Sequence, residues 1–437
     1  MADALLTPPP DRAWPHSLRA FASRDFRLLW LGAVVSSSGS QMQLAALGWV
    51  VALLTDSATR VGLIAFAFVV PLVVLSPVGG SLADRFPRRK VLLVTQTIQM
   101  AQAVTLWATW AAGARSYWLL FGLSVVGGVT AALNAPVWSA FIPSLVARRD
   151  LPNAVMLNST QFNISKALGP VAAGILLVDT AGASWCFLVN ALSFAFVLVA
   201  LLAMRGSGPA AAAPSTSRGG YLRDFRDGLA YVRREPGLRT SIGINGFTAF
   251  VGQPVVPLIP VVALEMFDAS ALEFGVLAGA LGVGAIIGAV VTGRLDGRRV
   301  PSAILMIGFV TYACFVVALG LAPGLAVGVV MMAGVGCGFL IMIATNNSCI
   351  QHLSSDAMRG RVLAIWLTTF GLCYPLGVLL QGMAADALGI RSVLIVDGLL
   401  LLAFFTWTAR SGRLHHLDTE EATANLTVGP VDPEENL

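Results

Sequence analysis

Residues Gly80 to Lys90 read GSLADRFPRRK, a charged turn set between two long apolar runs. Asp84, Arg85, Arg88, Arg89 and Lys90 cannot rest in hydrocarbon, where each charge costs about 2.5 kcal/mol or more, so the turn marks a membrane surface. A shorter echo, GRLDGRR, occupies Gly293 to Arg299 about half a chain later. A surface turn that recurs after so many residues implies a protein built twice.

The surrounding composition agrees. The chain is 56% hydrophobic and only 12% charged, with a mean hydropathy of +0.78, whereas soluble domains run nearer a quarter charged. Twelve apolar stretches approach the roughly 20 residues that cross a bilayer: 26–54, 59–82, 91–112, 117–143, 151–178, 185–204, 240–264, 274–294, 303–321, 324–346, 362–385 and 393–408. No water is available there to satisfy backbone groups, so each is expected to be a helix. All but four of the 28 basic residues fall in one set of alternate loops and the two tails; the exceptions are Arg60, Arg115, Arg391 and Lys166. Basic residues stay on the cytosolic side, which places both termini there in a multi-pass plasma (inner) membrane protein. The net charge of +5 is then a topology signal and not a nucleic-acid footprint. The first 25 residues are polar and Pro-rich and show no removable signal peptide. Five cysteines stand singly in apolar runs and read as small core residues, and four scattered histidines give no metal site. The spans hold no clustered acids or histidines at one interface, so an enzyme is not expected.

The division into parts follows. A cytosolic tail (1–25) precedes a six-helix bundle (26–204); a connector (205–239) leads to a second bundle (240–410) and a disordered cytosolic tail (411–437). In the connector Leu222, Phe225, Leu229 and Val232 recur at helical spacing among charges, which suits an amphipathic helix on the membrane surface, serving as a strap between halves. The halves align at an offset drifting from about 207 to 213 residues: Gly62 with Gly275, Asp84 with Asp296, Asn134 with Asn346, Gly169 with Gly377, Gly174 with Gly382, Gly182 with Gly389, and Asn190 with Asp397. Parallel repeats of this kind, related by an axis along the membrane normal, point to a transporter.

With these residues in view the chain resembles the major facilitator superfamily, whose loop signature after span 2 is met by Gly80, Leu82, Asp84, Arg85, Arg88 and Arg89. Over roughly residues 20 to 410 it is similar to the drug:proton antiporter branch that includes the enterobactin exporter and macrolide efflux pumps. The carrying stretches are DFRLLWLG at Asp25, GSQMQLAALGW at Gly39, LTDSATRVG at Leu54, NAPVWSAFIPSLV at Asn134, GPVAAG at Gly169, PLIPVVALEMF at Pro257, GVGAIIGA at Gly282 and RGRVLAIWLTTFGLCYPLG at Arg359. The resemblance implies twelve helices in two pseudo-symmetric bundles and alternating access. It also implies a gate in which Asp84 meets the start of span 11 near Met358 to Arg361, so Gly80, Asp84, Arg85, Arg88, Arg89, Asp296, Arg298, Arg359 and Arg361 form the expected gating set. Gly80 is expected to permit close helix approach there. Gly169, Pro170 and Gly174 resemble the antiporter kink.

Span 5 is the most polar, with Asn158, Gln161 and Ser165 on one face and Ser159, Asn163 and Lys166 on another. Lys166 lies about 20 Å along its helix and needs water, a carboxylate or a carbonyl. By the resemblance spans 1, 4, 7 and 10 line the path, which adds Gln41, Asn134, Trp138, Asn245, Gln253, Asn346 and Asn347, with Tyr374 from span 11, to Asn158, Gln161 and Lys166 as substrate contacts. The apolar and aromatic balance suits a bulky amphipathic solute. Asp25, Glu273 and Asp397 are candidate proton carriers. The expected protein is a monomeric secondary exporter of a drug, siderophore or similar metabolite. It is driven by the proton gradient without a cofactor; a lipid or lysolipid flippase and a non-transporting receptor or scaffold are the alternatives.

Overall fold

In the computed structural model residues 15–178, 181–204, 221–355 and 357–418 are described. The expectations for residues 1–14, the first part of the connector and most of the C-terminal tail lie outside them.

The described chain is helical throughout: α1 (Arg24–Thr55), α2 (Ala58–Arg85), α3 (Arg88–Ala111), α4 (Tyr117–Phe141), α5 (Leu151–Leu176), α6 (Gly182–Ala203), α7 (Tyr221–Arg234), α8 (Pro236–Met266), α9 (Ala271–Leu295), α10 (Pro301–Gly320), α11 (Leu325–Leu353), α12 (Arg359–Leu388) and α13 (Ile390–Arg410). α8 is broken by two π turns, Thr248–Gly252 and Val262–Met266, around Pro254, Pro257 and Pro260. Ten helices are long and apolar enough to cross a membrane among the described residues. α1 and α5 are also long, at 32 and 26 residues, but carry the serines, glutamines and asparagines already noted.

Helix starts are written locally. Ser23 accepts from the Phe26 amide and Ser57 from the Arg60 amide, while Ser270 and Glu273 form a reciprocal capping box at the head of α9. The turns before α2 and α9 repeat each other, with Asp56 and Asp268 both left-handed at φ 47°.

The first half packs α1 on α5 and α6, α2 on α4, and α3 on α4 and α6; the second packs α11 on α9 and α10, and α10 on α13. Lipid is as apolar as leucine, so these seams depend on backbones approaching closely rather than on hydrophobicity. Between α2 and α4 the small residue is Gly79, where an added Cβ would strike the Ala132 carbonyl, and not Gly80, which has nothing within 4 Å. The expected close-approach role therefore moves one residue back. Cys186 and Cys349 are buried as expected, but Cys314 is exposed on the outside of α10.

The connector helix α7 departs from the surface-lying picture. Phe225, Leu229 and Val232 pack on Leu238, Ile350, Val362 and Ile365, so protein covers the apolar face that was expected to meet lipid. Asp224 pairs with Arg361 at 2.6 Å.

Candidate transport pathway and gates

Two long seams join the halves, α2 with α12 and α5 with α9, and a shorter contact sets α1 beside Ile259–Val261 of α8. Both seams lie in the parts of the helices away from the basic turns. At the far end Gly174 of α5 meets Gly275 of α9, where a Cβ on the former would come within 2.5 Å of the latter's Cα. Gly62 of α2 meets Val378 of α12, and Gly382 of α12 meets Ala58 and Thr59. These are repeat mates, because Gly62 corresponds to Gly275 and Gly174 to Gly382. Trp49 of α1 stacks on Phe274 of α9 at 4.8 Å, closing the same end.

Asp386 holds this closure. Its carboxylate accepts from the Ser57 hydroxyl (2.7 Å), the Ala58 amide (2.6 Å) and the Thr59 amide (3.1 Å), all at the first turn of α2. The orphan N–H groups of a helix start, together with its dipole, favour an anion there. Sequence reasoning missed Asp386. The signal was present, because Asp386 stands four residues beyond Gly382 as Asp179 stands shortly beyond Gly174; Asp179 is outside the described residues.

At the basic end the halves diverge. Asp84 is exposed and makes no hydrogen bond or ion pair among the described residues, so the contact expected with the start of α12, near Met358 to Arg361, is not made in this state. Arg361, expected in that gate, is instead held by Asp224. The two arginines of the turn tie their own half together. Arg88 donates to the Ala140 carbonyl at 2.9 Å and Arg89 to the Leu202 carbonyl at 3.1 Å, placing positive charge on the C-terminal ends of α4 and α6. Arg85 is exposed; Asp296, Arg298 and Arg299 sit in the exposed turn after α9; and Arg359 reaches the Gln351 carbonyl at 3.3 Å.

Most polar residues expected to contact solute are ties between helices. Gln161 is buried and donates to the Ala33 carbonyl, while Asn158 accepts from the Trp138 indole. Asn134 accepts from Thr95 and Gln96, Asn245 donates to the Trp366 carbonyl, and Asn346 to the Ser241 carbonyl. Gln253 is buried. Asn347 accepts from Gln351 one turn on, and Gln41 packs where Gly169 lets α5 approach α1. A further buried chain, Gln102 to Gln43 to Asn190, joins α3, α1 and α6 without having been expected as a unit. The kink residue Pro170 lies between Gly169, which faces α1, and Gly174, which faces α9.

Two helix flanks carry side chains that these ties do not use. On α5, Phe162 and Lys166 share the flank next to the Asn158–Trp138 bond, and the opposite flank exposes Leu168 and Ile175. On α12, Trp366, Phe370 and Tyr374 form a ladder with centroids 6.5 and 5.1 Å apart and near-parallel planes, while Leu372, Leu376, Leu380 and Met383 face out on another flank. Of the candidate proton carriers, Asp25 lies in the first turn of α1 near Arg24, Glu273 belongs to the capping box, and Asp397 is buried in α13.

This architecture is that of the major facilitator transporters. A bacterial homologue of the human lysosomal transporter Spinster, solved inward-facing and unoccupied, superposes with a TM-score of 0.68 at 15% identity, covering 94% of this chain and 99% of that one. The inward-open xylose transporter XylE of E. coli gives 0.67 at 15% identity over 88% and 94%. Residues 16–432 match the profile of the transmembrane secretion effectors, and the chain belongs to that family. It is 26% identical over 333 residues to the enterobactin exporter EntS of Shigella boydii serotype 18, and equally to that of Escherichia coli O157:H7, covering 74% of this chain and 78% of each relative. The protein is thus a multi-pass membrane transporter and not an enzyme.

Proposed function

We propose that the protein exports a small amphipathic molecule from the cytosol by alternating access, exchanging it for protons. α1 and α5 cross the membrane with the ten more apolar helices, making twelve spans as two six-helix bundles in the inner membrane. The end with the basic turns is cytosolic, so both termini are too, and the protein works as a monomer. The observation that carries this reading is the closure of both inter-half seams at the end away from the basic turns, with Asp386 capping α2. This is an inward-facing carrier ready to load from the cytosol.

The same helix pair supplies the other gate. α2 and α12 run antiparallel, so each end of the pair sets one helix's start beside the other's finish. Asp386, near the finish of α12, caps the start of α2; Asp84, at the finish of α2, caps the start of α12 once the cytosolic side closes. One bond set must open before the other forms. The test is efflux from proteoliposomes across a panel of amphipathic solutes with an imposed pH gradient. Gradient-dependent movement is expected, and movement indifferent to the gradient would sink proton exchange.

A further inference from the structure

Lys166 is an ammonium about 22 Å along α5, counted at 1.5 Å per residue. Among the described residues it has no carboxylate and no hydrogen-bond partner; its Nζ lies 4.7 Å from the centre of the Phe162 ring. It is exposed, and it lies on the flank of α5 beside α4, not on the leucine-rich one. A bare ammonium facing lipid at mid-helix is untenable, so this flank faces the aqueous cleft. Ala167, the next residue, touches Gly282 of α9, which puts Lys166 at the inner end of the cleft where the halves converge.

The repeat adds a second, independent observation. The spacing that relates Gly169 to Gly377 and Gly174 to Gly382 also relates Phe162 to Phe370 and Lys166 to Tyr374. Both walls therefore carry a phenylalanine followed one turn later by a polar-tipped side chain, packed against it in each case: Lys166 over Phe162, and Tyr374 stacked on Phe370 at 5.1 Å and 12°. The pair is symmetric in its rings and asymmetric in charge. We infer that Phe162 and Lys166, opposite Phe370 and Tyr374, form a subsite for an amphipathic anion, its aromatic or apolar body between the rings and its acidic group on Lys166. An ammonium with no carboxylate beside it gains from a ligand that brings its own counter-charge, and the phenylalanine under it leaves the outer face of the ammonium free.

This assignment rests on the exporter reading, and the experiment separates the two. The probes are naphthalene-2-carboxylate, its neutral carboxamide and 2-naphthylmethylammonium, measured by equilibrium dialysis against the full chain in zwitterionic nanodiscs, with empty discs as blank. Wild type is expected to bind the carboxylate at least tenfold more tightly than the carboxamide, and the ammonium least. K166R keeps that order, K166Q removes the preference while leaving carboxamide affinity in place, and F162A weakens all three. Binding of none of the probes by wild type, a wild type indifferent to charge, or a K166Q that still prefers the carboxylate would each overturn the subsite. Flux of the same probes in proteoliposomes is read in parallel. Charge-selective binding without flux refutes export and leaves the subsite standing, and flux without charge preference does the reverse.

Discussion

Replacing Asp386 with alanine removes three acceptor contacts from the start of α2 at a stroke. Hydrogen bonds to a charged group contribute about 1.5–3 kcal/mol each when buried, but these lie at a wet rim and water takes over part of the work once they break. Loss of a helix cap of this kind typically costs about 1 kcal/mol, and the charge on the helix dipole adds up to about 1 more. On the proposed alternating-access cycle roughly 2 kcal/mol is therefore lost from this state and not from the outward-facing one, in which Asp386 and Ser57 part. That corresponds to a shift of about thirtyfold in the ratio of inward to outward forms. Asp386→Asn keeps an oxygen for one amide and should give about half the free-energy effect. The assay is electron–electron resonance distance measurement between spin labels at Arg60 and Leu388, both exposed at that end, in a background with the five native cysteines replaced. A longer-distance population should appear or grow in Asp386→Ala. A ratio within twofold of the parent would refute the latch, and with it the idea that capping energy sets the conformational balance.

Asp84→Asn should leave those distances nearly unchanged, because Asp84 has no partner among the described residues in this state, yet it should slow efflux severalfold; unaltered turnover would reduce the turn to an anchor. Gly174→Val should push α5 from Gly275 and raise the outward population, at a cost of about 1–3 kcal/mol to the closed seam, read by the thermal transition in detergent together with labels across α5 and α9. Arg88→Ala should lower the thermal transition through the unsatisfied Ala140 carbonyl, by about 1–2 kcal/mol, without altering the distance between α2 and α12; a change in that distance would assign Arg88 to the gate.

The membrane-spanning helices were legible because hydropathy is read residue by residue, and the repeat leaves glycines at matching positions where helices meet. The site was less legible, for a physical reason. An asparagine or glutamine inside a span is equally fitted to hold a solute or a neighbouring helix, and the sequence does not say which helix lies beside it. Asn134, Asn245, Asn346 and Gln161 all proved to be ties to a neighbour. Lys166 was different in kind, because among the described residues its ammonium has neither an acid nor a hydrogen-bond acceptor, only the ring of Phe162. The choice between Gly79 and Gly80 was likewise beyond the sequence, since adjacent glycines differ only in which way they face. α7 was given correctly as amphipathic, but its cover was the bundle, and composition cannot tell a lipid surface from a protein one.

The two gates proposed above also account for the inequality of the basic turn between the halves. In the turn after α2, Arg88 and Arg89 are engaged with the ends of α4 and α6, so they fix the turn to its own half and leave Asp84 free to travel with it. In the echo after α9, Asp296, Arg298 and Arg299 stand exposed, and the seam between α5 and α9 is made by the glycine pair at its far end. One antiparallel pair, α2 with α12, thus has an acid near the finish of each helix, while the other relies on close backbone approach. On the proposed cycle the α2–α12 pair exchanges polar bonds at its two ends and so biases either state, whereas the α5–α9 seam is made by close backbone approach at the closed end. The latch and the seam are therefore separable: changes at Asp386 should move the populations, changes at Asp84 should slow turnover, and changes at Gly174 or Gly275 should alter the stability of the bundle as well.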